Sequence, residues 1–194
     1  MTSKIFISAQ QLLEDSFRLG ANIHKSGFRP NFIVGIWRGG TPVGIAIQEL
    51  LDYYGTKTDH IAIRTSAYEG IGKMKKKIRV HGLHYIIDHI NAEDNLLIID
   101  DVFDTGLSIE AVIRALRKKT RKNTPKDIRA ATVYFKPKKN KVGFSPDYYI
   151  HQTSDWLIFP HELDGLSAEE IKNHKPGISD FIHRENKQLK RSEY

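Results

Sequence analysis

The run Leu96-Leu97-Ile98-Ile99 ends in two adjacent acids, Asp100 and Asp101, and is followed by a third acid, Asp104, and by Thr105-Gly106-Leu107-Ser108. Four consecutive aliphatic residues without polar alternation read as a strand covered on both faces. Such a strand belongs to a parallel sheet with helices on either side, the α/β class. Its carboxyl end brings the acids to the edge where ligands bind in open sheets of this kind. The sequence beyond predicts a helix from about Ser108 to Lys119, so backbone N–H groups and the hydroxyls of Thr105 and Ser108 can converge on one anion. Adjacent carboxylates suit a vicinal diol or share a divalent ion; a strand end with a capped helix after it would use the same residues without any ligand. An acid pair after an apolar strand also occurs in nucleoside triphosphatases, but their glycine-rich phosphate loop is absent, because Ala67 stands where its first glycine would precede Gly72-Lys73.

The same alternation recurs along the chain. Ser8, with Gln11 three positions on, starts a helix carrying Leu12, Leu13, Phe17 and Ile23 at helical spacing, closed by Gly27. Phe32 to Ile36 is an apolar strand running into Arg38-Gly39-Gly40, and Pro42 opens a second helix through Leu51. Ile61 to Ile63, Arg129 to Phe135 and Tyr148 to Ile150 supply further strands. Between Thr65 and His81 the periodicity fails at Gly70, Gly72 and a lysine cluster, which predicts a long mobile loop with short strands at most. After Lys136, Pro137, Pro146, Pro160 and Pro176 break the chain into pieces expected to form a small subdomain or flap. The stretch from Phe181 to Tyr194 becomes a charged tail.

With 194 residues, 40% of them hydrophobic, the chain has room for one domain and a real core. No apolar run approaches the roughly 20 residues that span a bilayer, and Met1 to Ser8 lacks a signal-peptide apolar region, so a soluble, cytoplasmic protein is expected. The absence of cysteine excludes disulfides, thiolate metal sites and thiol nucleophiles. The formal charge of +7 points to an anionic partner without separating nucleic acid from a phosphorylated small molecule. Much of it lies in Lys73–Arg79, Arg114–Lys126 and Lys136–Lys141, which hold five, seven and four basic residues and read equally as solvated faces.

The stretch from Leu96 to Ser108 resembles the diphosphate-sugar motif of the type I phosphoribosyltransferases: four apolar residues, two acids, a spacer, Thr-Gly and Thr or Ser. The resemblance implies a parallel sheet flanked by helices with a small C-terminal hood, in a single domain over 1–194. The core would occupy about 28–136, the mobile loop 65–81, the hood about 137–165 and the tail 181–194. It further implies that Asp100 and Asp101 contact the ribose hydroxyls of 5-phosphoribosyl 1-diphosphate directly or through Mg2+, and that the loop of Asp104, Thr105, Gly106, Leu107 and Ser108 wraps the 5-phosphate. Adenine and uracil enzymes of the family usually have Ala just before Thr-Gly. Asp104 is similar to the 6-oxopurine branch, whose bases are hypoxanthine, guanine and xanthine.

Other segments add to this resemblance. Arg38 and Gly39 are similar to the diphosphate loop, with Trp37 where bacterial xanthine-guanine enzymes have Ser, and Arg38 offers forked donors to a diphosphate. Lys136, directly after a strand, resembles the lysine that reads the purine 6-oxo group. Trp156 to Glu162 resembles the hood, which makes Trp156 the residue stacked on the base, Leu157 the one whose backbone meets the base edge, and Glu162 a metal ligand together with Asp101. His161-Glu162 departs from the usual residues there, and it is no zinc motif, since Gly165 occupies the position of the second His. The implied reaction is purine nucleotide formation with Asp104 as proton acceptor, by a dimer or tetramer. The alternatives are a nucleic-acid-binding regulator of the same fold that senses the ribosyl diphosphate, and an enzyme for another base; nucleic acid is the less expected partner, because the base-recognition residues are present.

Overall fold

A computed structural model of the chain describes residues 4–69 and 76–189. The chain forms two compact units, one of residues 10–154 and one of residues 1–9 with 155–194.

The larger unit is built on a six-stranded sheet of β2 (Phe32–Trp37), β3 (Asp59–Glu69), β4 (Lys76–His81), β5 (Asn95–Phe103), β6 (Asp127–Phe135) and β7 (Tyr148–Gln152), in the order β4-β3-β2-β5-β6-β7. All neighbours are parallel except β3 and β4. The two aliphatic runs read from the sequence lie side by side at the centre, with Phe32 opposite Leu96 and Gly35 opposite Ile99. Leu96 to Ile99 are wholly buried, which at roughly 1.5–3 kcal/mol per large aliphatic side chain makes this strand pair the main apolar anchor of the unit. On one face Val34, Ile36, Ile98 and Phe103 pack with Ile109, Val112 and Leu116 of helix α4 (Leu107–Thr120). Helix α2 (Gly40–Tyr53) lies against β2 and β5, and α1 (Ala9–Lys25) meets α2 where Gly20 brings it against Ile47 and Leu50. A short helix α3 (His84–His89) buries Ile86 in the α4-side core.

The stretch from Thr65 to His81 differs from the expected loop. β3 runs on to Glu69 and pairs antiparallel with β4, with Arg64 opposite His81 and Ser66 opposite Arg79. The ribbon is held by main-chain hydrogen bonds and needs little apolar periodicity: Ile78 and Val80 are half-buried and Arg79 between them is exposed. Gly70, Gly72 and the lysines from Lys73 to Lys75 lie outside the described residues, as do 190–194 and the side chains of Tyr68, Lys76 and Lys77.

In the second unit β1 (Lys4–Phe6) pairs parallel with β8 (Trp156–Ile158), Lys4 opposite Trp156 and Phe6 opposite Ile158. Helix α5 (Ala168–His174) starts at a capping box in which Ser167 Oγ accepts from Glu170 N and Glu170 Oε2 accepts from Ser167 N. Lys4 Nζ reaches Glu170 Oε1 at 2.6 Å, and the Phe6 ring stacks on His174. Helix α6 (Pro176–Leu189) follows. Among the described residues, no helix is long and apolar enough to cross a membrane.

Candidate active site

Three segments far apart in sequence meet at the carboxyl ends of β2, β5 and β6. β5 delivers Asp100, half-buried, and Asp101, 8% exposed. Asp101 N donates to Asp100 Oδ1 at 3.1 Å, and the Gly40 N–H also donates to the Asp100 carboxyl. Burial, with the negative charge of Asp101 beside it, holds the Asp100 carboxyl well above the usual carboxylate range in spite of these donors.

The Arg38-Gly39-Gly40 turn crosses the end of β5 so closely that a side chain on either glycine would displace its neighbour. A methyl on Gly39 would overlap the Asp101 carboxylate, and one on Gly40 would overlap the carbonyl of Ile99. The Trp37-Arg38 peptide preceding it is cis. Arg38 is exposed and Gly39 buried, so the turn presents its guanidinium-bearing residue to solvent while its glycine backbone lies on the acid pair.

Asp104 to Ser108 forms the turn from β5 into α4. Gly106 has φ 77°, and a methyl there would run into the Phe103 ring and Val142. Thr105 Oγ1 accepts from Leu107 N at 3.4 Å, and Thr105 O accepts from Lys141 N at 3.0 Å. The helix begins at Leu107, one residue before the expected start, with Ser108 in its first turn.

At the end of β6, Lys136 N donates to Phe103 O, which fixes the lysine beside β5. Lys136 is only 4% exposed, and its Nζ donates to Asp104 Oδ2 at 3.1 Å. A 3-10 turn, Pro137–Lys139, then folds back so that Lys139 Nζ stands 3.8 Å from the same oxygen. The strand-end position of Lys136 marks it out in the sequence, whereas Lys139 passes there for one more cation of a basic run. The available signal is Pro137, which suits the first position of a tight turn.

The structure thus brings Arg38, Gly39, Asp100, Asp101, the Asp104–Ser108 loop and Lys136 to one edge of one sheet. Of the hood residues, in the second unit, Trp156 is 55% exposed and Leu157 is buried. Glu162 Oε2 accepts from Phe159 N at 3.0 Å, so this expected metal ligand is held by its own turn. Among the described residues no group of three or more His, Asp or Glu side chains could enclose a metal. The adjacent Asp100 and Asp101 carboxylates fit Mg2+ nevertheless, because that ion takes one or two carboxylates and fills its remaining positions with water and substrate oxygens. A cation on the pair would offset the repulsion that raises Asp100.

Residues 7–164 match the family model described as phosphoribosyl transferase domain. Bovine hypoxanthine-guanine phosphoribosyltransferase is 27% identical over 86 residues, 44% of this chain and 38% of that protein. Orotate phosphoribosyltransferase of Staphylothermus marinus is 34% identical over 55 residues, 28% of this chain and 27% of that protein, so the chain matches well under half the length of these relatives. The crystal structure of a purine phosphoribosyltransferase from Pyrococcus horikoshii superposes with a TM-score of 0.68 at 26% identity, covering 84% of this chain and 97% of that one.

Proposed function

The chain belongs to the phosphoribosyl transferase domain family, and from that premise we propose that it transfers the 5-phosphoribosyl group of 5-phosphoribosyl 1-diphosphate to a 6-oxopurine, hypoxanthine, guanine or xanthine, in purine salvage. The observation that carries this reading is the buried Lys136 ammonium hydrogen-bonded to Asp104 at the sheet edge. An ammonium has three donors and no acceptor, so with one on Asp104 it still has others for a carbonyl oxygen, and it repels an amine at the purine 6-position. The bovine and Pyrococcus proteins, described as hypoxanthine-guanine and purine enzymes, support the same substrate class.

In this reading a lone pair on the purine ring nitrogen forms the bond to the anomeric carbon as the carbon–oxygen bond to diphosphate breaks. The ring proton passes to Asp104, and diphosphate leaves with the bonding pair. Asp100 and Asp101 accept from the sugar's vicinal hydroxyls. The N–H groups and hydroxyls of Thr105 to Ser108 hold the 5-phosphate, and Arg38 with the Gly39 backbone faces the departing diphosphate. Mg2+, when bound at the acid pair, supplies positive charge to the sugar and diphosphate oxygens.

The test is phosphorus NMR of the purified chain mixed with 5-phosphoribosyl 1-diphosphate, Mg2+ and hypoxanthine. Paired growth of a nucleoside monophosphate and a diphosphate resonance is expected. Loss of the starting resonance without a nucleotide, or no change at all, rejects the proposal.

A further inference from the structure

We propose that Lys139 is a positioning residue for this reaction: it holds the Asp104 carboxylate in place when Lys136 turns to the base. The inference rests on the function proposed above and adds to it a second cation that the sequence does not single out. Both lysines address the same oxygen. Lys136 Nζ is 3.1 Å and Lys139 Nζ 3.8 Å from Asp104 Oδ2, so both cations act on that oxygen and Oδ1 is left to accept the ring proton in the proposed reaction.

The two cations differ in surroundings. The Lys136 side chain is 5% exposed, whereas those of Lys139 and Asp104 are each about two-fifths exposed. A buried ammonium needs partners, and Asp104 is its ion-pair partner here. A purine carbonyl that takes a second donor of Lys136 draws the ammonium towards the base and weakens, without breaking, its hold on Oδ2. Lys139, the more exposed of the two lysines, reaches the same oxygen because the 3-10 turn closed by Lys139 N donating to Lys136 O carries it back towards Asp104. It can therefore keep the carboxylate oriented throughout the cycle.

The experiment compares Lys139→Ala, Lys139→Arg and a control, Lys138→Ala, which removes the same charge from an exposed neighbour. Each is made in the wild-type chain and in the Asp104→Asn background, and both hypoxanthine turnover and thermal unfolding are measured. Lys139→Ala is expected to lower kcat about fivefold, the upper range for a part-exposed ion pair, with KM for the ribosyl diphosphate unchanged. Lys139→Arg should recover most of the loss and Lys138→Ala should match wild type. In the Asp104→Asn background Lys139→Ala should have no further effect on either readout. Equal losses in both backgrounds, an equal loss from Lys138→Ala, or a change confined to KM for the ribosyl diphosphate overturns the proposal. A wild-type chain that forms no nucleotide overturns the function reading itself, and is thereby distinguished from an active chain indifferent to Lys139.

Discussion

Lys136 and Asp104, 32 positions apart, form one ion pair at the carboxyl edge of the sheet, with Nζ 3.1 Å from Oδ2 and the lysine almost wholly buried. β5 and β6 are in register from Asn95 opposite Asp127 to Phe103 opposite Phe135, so the first residue after each strand arrives at the same level. The pair is thus set by strand register and by the Lys136 N–H on Phe103 O.

Replacing Lys136 by Met should remove the carbonyl donor while leaving Asp104 beside Lys139. We expect kcat/KM for hypoxanthine to fall about 10- to 100-fold, the worth of one charged hydrogen bond. Steady-state kinetics over base concentration checks this, and a loss below threefold would remove Lys136 from base recognition.

Asp100→Asn should stabilise the ligand-free chain. Its carboxyl is pushed up by burial and by the Asp101 charge, so the folded state binds more protons than the unfolded state, and the stability Asp100 contributes is lost as pH rises from the ordinary carboxylate range through its folded value. An amide carries no such penalty, so the gain in unfolding temperature should grow with pH through that window. It should level off above that window and shrink when Mg2+ is added. Thermal unfolding across pH, with and without Mg2+, reads the effect.

The two tight glycines should fail differently. Gly39→Ala pushes on the Asp101 carboxylate and should weaken binding of the ribosyl diphosphate more than it lowers stability. Gly106→Ala adds a side chain at positive φ against Phe103 and Val142 and should cost about 2–4 kcal/mol of stability. Calorimetric binding and denaturant unfolding on both variants separate the two outcomes.

Much of this edge is legible in the sequence because its parts are local. Leu96 to Ser108 carries apolar strand, acids, glycine turn and helix start in consecutive residues, and Lys136 stands immediately after a strand. What escapes is long-range or sparsely patterned. The β1–β8 pair joins two three-residue strands 152 positions apart, too short for alternation to register. The β3–β4 ribbon runs through a lysine-rich stretch whose pairing is carried by the main chain. Lys139 becomes visible only once the turn after Pro137 folds back over Asp104.

Tyr134 offers a check on the packing behind the site. Burial, then the charge of Asp15, pushes its phenol up to about 12, and the Asp15 carboxylate is held 2.8 Å from His151 Nε2. The folded value is raised, so the stability Tyr134 contributes is present below pH 10 and lost as pH rises towards 12. Ultraviolet titration of wild type against Tyr134→Phe should show almost no difference in phenolate near pH 10.5 and a difference of about half a tyrosine near pH 12.

The central claim is that this site accepts a 6-oxopurine, and the measurement that tests it most directly is initial nucleotide formation from a panel of bases. Hypoxanthine, guanine, xanthine, adenine, uracil and orotate would each be offered with 5-phosphoribosyl 1-diphosphate and Mg2+. The buried Lys136 ammonium beside Asp104 predicts turnover of at least one 6-oxopurine, with adenine slower by at least two orders of magnitude. Preferred turnover of adenine, uracil or orotate, or of no base at all, would contradict the account.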